Sequence, residues 1–529
     1  MRPNRFQHQP PVLFRLYKVL FPRFFFFRFF LVKLFLLVFF CCSIAASVRA
    51  TPSTGGGDDG SYQYALKEIK HVLAGVHLGE GSYSFTRLRR RFYHSPKPFE
   101  TLSAKYRGVF EFDNHGATMF VADTFVGTSN TYAGYTLLDA TSYGTIGYGD
   151  TVIAHVGWAD RQNFLFASPR YSPAPVLQEF LRTPQSQFIR VRHGALDTIS
   201  YFADSSRKIT VVIDPKQNNV VSLDLLEADD FFGDVQHHFE YQYTGTAKAR
   251  YPNHVTERQF GVITEDITIA RQAVRADSTP LVSKMPEDYD LGEAEEIPAE
   301  SIREGKWDDH IRFFELRNAE SRVLIVNFSD YLLIAEAPES PENGELILKH
   351  VHALFPNKPV RYFLFGHHHP SYLGGVRAMV HEGVTVLALP QDTAYVRFII
   401  DAPHTLKPDS LSLDPKPLKL ALLDTDATFT DGIDTMRIFK LGARSKHTDD
   451  YLVYYFPHER MLFEDDLLAI DPAKPLRACN DRELGVYAGI GDFHLDPDVI
   501  VQSWPIRKQG DMVIPYSILK ACAEMTATR

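Results

Sequence analysis

Arg361-Tyr-Phe-Leu-Phe-Gly-His-His-His-Pro-Ser-Tyr-Leu-Gly-Gly375 runs directly into Val376-Arg-Ala-Met-Val-His-Glu-Gly-Val-Thr-Val-Leu-Ala-Leu389. An apolar and aromatic run stops at a glycine, three histidines follow, and a Gly-Gly pair opens an apolar-periodic segment. The order reads as strand, exposed loop, helix, strand. On a locally extended backbone His367 and His369 point the same way, because successive side chains alternate. Both imidazoles can then face one metal ion. Zinc takes imidazole nitrogen at about 2.0–2.1 Å, and a catalytic zinc keeps three protein ligands and an open position. His368, between them, faces away and reads as a surface or packing residue. Gly374 and Gly375 read as positions of close backbone approach.

Working outward, 529 residues exceed a single domain, and 45% hydrophobic with 23% charged residues is ordinary for globular protein. Residues 1–50 stand apart. They hold eight Lys or Arg and no Asp or Glu, with an apolar run from Leu34 to Val48 ending at Val48-Arg-Ala50. This is the composition of a secretory signal with a long basic start, which predicts a periplasmic or secreted protein. The alternative is a membrane anchor, interrupted by Arg28 and Lys33. Without that segment 48 Lys and Arg face 65 Asp and Glu, a net charge near −17, which excludes a general nucleic-acid or anionic-membrane binder. Oligomeric state is not legible. Of the four cysteines only Cys479 and Cys522 follow residue 50; they either pair in an oxidising compartment or stay as two buried thiols.

Residues 51–61 read as a flexible tether. Ala65, Leu66, Ile69, Val72 and Leu73 predict an amphipathic helix over 62–75. Short strand patterns follow at 109–112, 118–121, 151–156, 188–192, 208–213, 220–225, 239–243 and 261–269, with Asp214-Pro-Lys-Gln-Asn-Asn219 as a turn. Strands without interleaved helices predict a mostly antiparallel sheet covered on one face, over 62–275. The pattern is similar to the curved half-barrel sheets of lipoprotein carriers. His237 and His238 fall near a strand start and read as surface or packing residues. Residues 276–304 are acidic, with Pro280, Pro286 and Pro298, and read as an extended, solvated linker. From 305 to 529 strands at 311–316, 323–328 and 331–336 alternate with helical stripes such as Ile347, Val351 and Leu354, which predicts layered sheets covered by helices.

A second block, Lys446-His-Thr-Asp-Asp-Tyr-Leu-Val-Tyr-Tyr-Phe-Pro-His-Glu-Arg-Met-Leu-Phe-Glu-Asp-Asp-Leu467, follows the histidine loop. In this order the two blocks resemble the metallo-β-lactamase superfamily. That resemblance implies an α+β chain of two domains, with an αββα sandwich behind the antiparallel domain. It implies His447 as third histidine ligand and Asp466 as the strand-end aspartate, a ligand or a water-positioning group, with Asp465 its close competitor. Where relatives carry Asp and His for a second metal, this chain has Ser371 and Tyr372, and Gln509-Gly510 replaces a later His-Gly. The resemblance therefore implies a single divalent ion, zinc foremost. Such an ion lowers the pKa of a bound water towards about 7, for attack on an ester, amide, lactone or thioester carbonyl of a small molecule. Tyr372 is a candidate hydrogen-bond donor to an oxyanion, and Ser371 a candidate to orient the water. The competing class is a decayed scaffold whose β-sheet domain binds a partner or apolar ligand. The chain has no Gly-x-Ser-x-Gly elbow to support serine hydrolase chemistry.

Overall fold

A computed structural model of the chain describes residues 59–75, 82–112, 118–126, 131–139, 143–147, 152–155, 167–246, 249–273, 281, 290–292, 302–424, 426–472, 474–506 and 513–527. The basic segment 1–50, most of the tether and linker, and Gln509-Gly510 lie outside the described residues. Among the described residues no helix is long and apolar enough to cross a membrane.

The N-terminal half is one sheet of fourteen strands built from two meanders. One runs back from Val152–His155 to Ser82–Arg91, the other from Val262–Ala273 back to Phe188–Arg192. They join where Ser82–Arg91 pairs antiparallel with Val262–Ala273. The helix Asp59–Gly75 lies against one face. Its Ala65, Ile69 and Val72, spaced by one helical turn, are fully buried against Val211, Ile213, Val220 and Leu223. The turn at 214–219 is an Asx turn: Asp214 Oδ1 accepts from the backbone of Lys216 at 2.8 Å and Gln217 at 3.0 Å, while Asn218 takes the left-handed conformation.

The sequence gives no strand at 82–91, and the reason is physical. Its inward positions alternate Tyr83, Phe85, Arg87 and Arg89, and a run of arginines resembles a solvated loop. Inside the sheet Arg87 pairs with Asp123 at 2.8 Å and Arg89 with Glu265 at 3.3 Å. His237 is likewise buried, on the 14-residue strand Gly233–Thr246, between Glu257 at 2.7 Å and Glu227 at 2.9 Å. It is a packing residue and not a surface one, whereas His238 is partly exposed and paired with Asp224. The acidic linker also departs from its solvated reading. Asp290–Gly292 adds to the sheet edge parallel to Val152–His155, which backbone groups alone achieve, and Leu281 is buried.

The C-terminal half holds two further sheets. In the first, Ile302–Lys306, Ile311–Leu316, Ser321–Asn327 and Leu332–Ala335 form an antiparallel meander that continues into parallel strands Val360–Leu364, Thr385–Ala388 and Lys419–Leu422. This sheet starts at Ile302, slightly ahead of the boundary read from sequence. The second runs Asp426–Thr430, Thr435–Lys440, Leu452–Phe456, Met461–Glu464, Val499–Gln502 and Val513–Pro515. Leu324, Val326, Leu333 and Leu364 of the first meet Ile438, Tyr454, Phe456 and Phe463 of the second in one buried cluster. Helices Pro341–Leu354, Val376–Glu382 and Thr393–Ile400 pack on the far face of the first sheet, and Asp481–Asp492 with Tyr516–Ala527 on that of the second. Asn480 and Glu483 close the start of Asp481–Asp492 with a capping box. Cys479 and Cys522 form a disulfide, with Cα atoms 5.1 Å apart, joining the segments before and within these two helices.

The two halves pack together. Phe92, Phe231, Phe232 and Val235 of the N-terminal sheet share a buried cluster with Tyr395, Val396 and Ile399. Asp234 N donates to Pro403 O at 2.6 Å, and Lys407 pairs with Asp230 at 2.6 Å.

Candidate metal centre

Open α/β sheets place ligands beyond the carboxyl ends of their strands, and the histidine loop leaves the strand Val360–Leu364 at that end. Gly366 lets the chain pass close to a buried acid: a Cβ there would lie 2.1 Å from Asp465 Oδ2. The Gly366 N–H donates to the Glu336 carboxylate at 3.0 and 3.2 Å, and Leu452 N donates to Gly366 O at 2.7 Å. The loop thus hangs between both sheets. His368 N and ring both bond to Asp450, at 2.8 and 2.9 Å, so His368 is a buried anchor turned away from its neighbours and not a surface residue. Burial disfavours charge on Asp450, but the pairing with His368 overrides it and holds the carboxyl at about 2.

His367 and His369 are buried and each is fixed from behind. His367 Nδ1 lies 2.7 Å from Asp465 Oδ2, and His369 Nε2 lies 3.0 Å from Ser95 O. A carbonyl accepts only, so His369 carries its proton on Nε2 and leaves Nδ1 free. Where Asp465 Oδ2 accepts the Nδ1 proton of His367, Nε2 is freed in the same way. The two free atoms face each other at 2.9 Å. Burial pushes both imidazoles well below their usual pKa, with neighbouring imidazoles adding to the effect at His369, so both are neutral donors at pH 7.

His447 comes from a loop shaped by Ser445, whose Oγ accepts the N–H of His447 and of Thr448, each at 3.1 Å. Its ring centroid lies 4.9 Å from that of His367 and 4.8 Å from that of His369. His447 Nε2 is sealed from solvent without a well-oriented hydrogen bond, 3.2 Å from Asp466 Oδ2. Donor atoms of His367, His447 and Asp466 lie within 4.8 Å of one another.

The adjacent aspartates divide. Asp466 faces His447; burial opposes its charge, yet His447 and His367 hold its carboxyl far below the usual range. Asp465 backs His367, and burial followed by the Glu336 charge pushes its carboxyl well up. Burial also lifts Glu336 and Glu464 to about 8. Tyr451 OH accepts the N–H of Asp465 and of Asp466, both at 2.9 Å, and donates to Glu464 at 3.0 Å.

Tyr372 is buried with its ring 4.4 Å from that of His367. Burial and then the charge of Asp466 keep its phenol protonated, the form that donates. Ser371 is turned elsewhere: its hydroxyl donates to Glu339 Oε1 at 2.9 Å, so the water-orienting role does not fit this geometry. One histidine at the centre carries no sequence signal. His94, from the loop after Ser82–Arg91, lies with His369 and His447 in a group whose donor atoms are within 4.8 Å.

Two overlapping donor groups, His367 with His447 and Asp466, and His94 with His369 and His447, share His447, and their imidazoles and carboxylate have the chemistry that suits a divalent ion of the zinc class. His367, His369 and His447 do not form a single group of their own. The sealed His447 Nε2 without a hydrogen bond and the facing His367 and His369 nitrogens at 2.9 Å are the observations that a shared cation or a proton accounts for. The other sulfur and carboxylate group, Cys479, Glu483 and Cys522, has its sulfurs consumed in the disulfide.

No protein-family model matches the chain, and neither does any curated protein. In shape it is similar to solved metallo-β-lactamases. The enzyme from Pontibacter korlensis is 18% identical, over 43% of this chain and 100% of that one, with a TM-score of 0.32. DIM-1 metallo-β-lactamase is 15% identical, over 43% and 98%, with a TM-score of 0.32. FIM-1 from Pseudomonas aeruginosa in its mono-zinc form is 17% identical, over 43% and 95%, with a TM-score of 0.31.

Proposed function

We propose that this chain is an exported metal-dependent hydrolase in which residues 305–529 form an αββα sandwich of the metallo-β-lactamase type behind a separate β-rich domain. His367, His369, His447 and Asp466 hold one ion. When bound, the ion supplies Lewis acidity and a water of lowered pKa for attack on an ester, amide, lactone or thioester.

The observation that carries this reading is the convergence of lone pairs, each fixed by a partner behind it. Asp465 and the Ser95 carbonyl set the two tautomers. Asp466 holds negative charge against His447, which favours a cation. Tyr372, protonated and packed on His367, supplies a donor for charge developing on a substrate oxygen. Nothing in the geometry favours the scaffold alternative, for which tautomer-fixed ligands serve no purpose. Residues 1–50 supply the export signal.

Elemental analysis of the purified chain tests the proposal. About one equivalent of metal is expected in wild type, lost in both His367→Ala and His447→Ala, together with hydrolysis of a chromogenic ester or lactone. No metal after reconstitution with zinc, iron and manganese overturns it.

A further inference from the structure

The loop that follows the strand Ser82–Arg91 belongs to the N-terminal sheet, yet it is fastened to the C-terminal half at several points. Pro96 O accepts from Asp449 N at 2.9 Å, and Lys97 pairs with Asp449 at 3.3 Å. The Phe99 ring packs on Tyr395 and Phe398, with centroids 5.1 and 5.7 Å away. Buried Ser95 directs its carbonyl onto His369 Nε2 and bridges the carbonyls of Phe92 and Lys97 through its hydroxyl, at 3.1 and 3.0 Å.

Between these fastenings stands His94, in a left-handed conformation (φ 61°) that side-chain-bearing residues rarely adopt. Its ring meets that of His369 edge-on at 5.1 Å, and its donor atom groups with those of His369 and His447 within 4.8 Å. His94 is the solvent-exposed member of this otherwise buried set. Two donors on one tetrahedral zinc sit about 3.3 Å apart, as its bond lengths require. Rotation about the His94 side chain closes that gap.

We propose that His94 is a fourth imidazole ligand, carried in from the loop after Ser82–Arg91 and taking the position otherwise left to Asp466, whose carboxylate then holds the water that enters as a fifth ligand, so that the metal centre is completed only where the two halves of the chain meet. The inference rests on the metal-binding reading of His367, His369 and His447. It gives the N-terminal sheet a part in the centre: the loop supplies a ligand through His94 and fixes a tautomer through Ser95.

Cobalt(II) titration of the full-length chain, followed by the visible d–d absorption, reads the ligand set directly. His94→Asn keeps a residue tolerant of the left-handed conformation but removes the imidazole, and His94→Gly opens a space for added imidazole. The expected result is a changed band in both variants and an apparent affinity lower by roughly 10-fold or more. Added imidazole should restore the wild-type band in His94→Gly. Metal-free melting temperatures should match wild type. One equivalent of cobalt in wild type with an identical band and affinity in both variants overturns the role of His94 and leaves the triad standing. No cobalt bound by wild type overturns the triad and this inference with it.

Discussion

Gly366→Ala is the substitution that best separates support of the proposed metal ligands from the ligands themselves. The added methyl would stand 2.1 Å from Asp465 Oδ2 and 2.6 Å from its Cγ and Oδ1. Ordinary contact begins at 3.4 Å, so Asp465 must retreat by about 1.3 Å in an interior packed to crystal-like density. Its 2.7 Å bond to His367 Nδ1 then opens to roughly 4 Å, past the limit of a hydrogen bond. Overpacking costs about 1–3 kcal/mol, and a lost bond between uncharged groups about 0.5–1.5 kcal/mol. The two share Asp465 and do not add fully, so destabilisation of about 1–4 kcal/mol is expected. Freed from its partner, His367 loses its fixed tautomer, and metal affinity falls roughly 10–100-fold. Urea unfolding reads the first quantity, and competition against a chromophoric chelator the second. The double variant Gly366→Ala/Asp465→Ala relieves the clash and should recover stability without recovering affinity. Wild-type affinity in Gly366→Ala would refute the reasoning, as would a double variant that regains full affinity.

Two further outcomes follow from buried groups away from the loop. Burial alone would depress His237, but Glu227 and Glu257 outweigh it and lift the imidazole from 6.5 to about 9; this is worth about 3 kcal/mol at 1.36 kcal/mol per pH unit, fully present below 6.5 and lost as pH rises through 9. Urea unfolding of wild type against His237→Gln should therefore differ by about 3 kcal/mol at pH 6 and much less at pH 9.5, and a difference that ignores pH would rule this out. The Cys479–Cys522 bridge closes a sequence separation of 43 residues, for which chain entropy predicts about 4 kcal/mol; reduction or Cys522→Ser that leaves unfolding unchanged contradicts it.

The parts of the centre legible in the sequence are those whose geometry is local. His367 and His369 are legible because of their spacing by two residues. Gly374 and Gly375 are legible as positions of close approach, where an added Cβ would stand 2.2 Å from the Glu339 backbone and 2.8 Å from Ala337 Cβ, whereas Gly366 reads only as the end of a strand. His447 and Asp466 required the order of two separated blocks, since no local spacing ties position 447 to position 367. Asp465 and Asp466 are chemically identical neighbours, and only the end of Met461–Glu464 decides which faces the imidazoles. His94 and Ser95 had no signal. Ser95 lies 274 residues from the histidine it orients, and the strand before it hides its inward face behind arginines that are neutralised only once Asp123 and Glu265 fold against them.

That pairing of neighbours explains how one strand end serves two purposes. Beyond the strand end at Glu464 the chain bends, and Asp465 points at Gly366 and His367 while Asp466 points at His447. Tyr451, with a single hydroxyl, receives both backbone N–H groups and fixes the turn between them. The electrostatic consequence differs on the two sides. Behind His367, burial holds Asp465 and Glu336 towards their protonated forms, which lets two acids lie together without the repulsion of two charges. In front, Asp466 stays ionised beside His447, and the ring nitrogens of His367 and His369 face each other at 2.9 Å. Lone pairs aimed at one point beside a carboxylate are unfavourable in a low-dielectric interior unless positive charge stands among them. The fold therefore concentrates negative potential on the ligand side and removes it from the supporting side, which is the asymmetry a divalent cation needs.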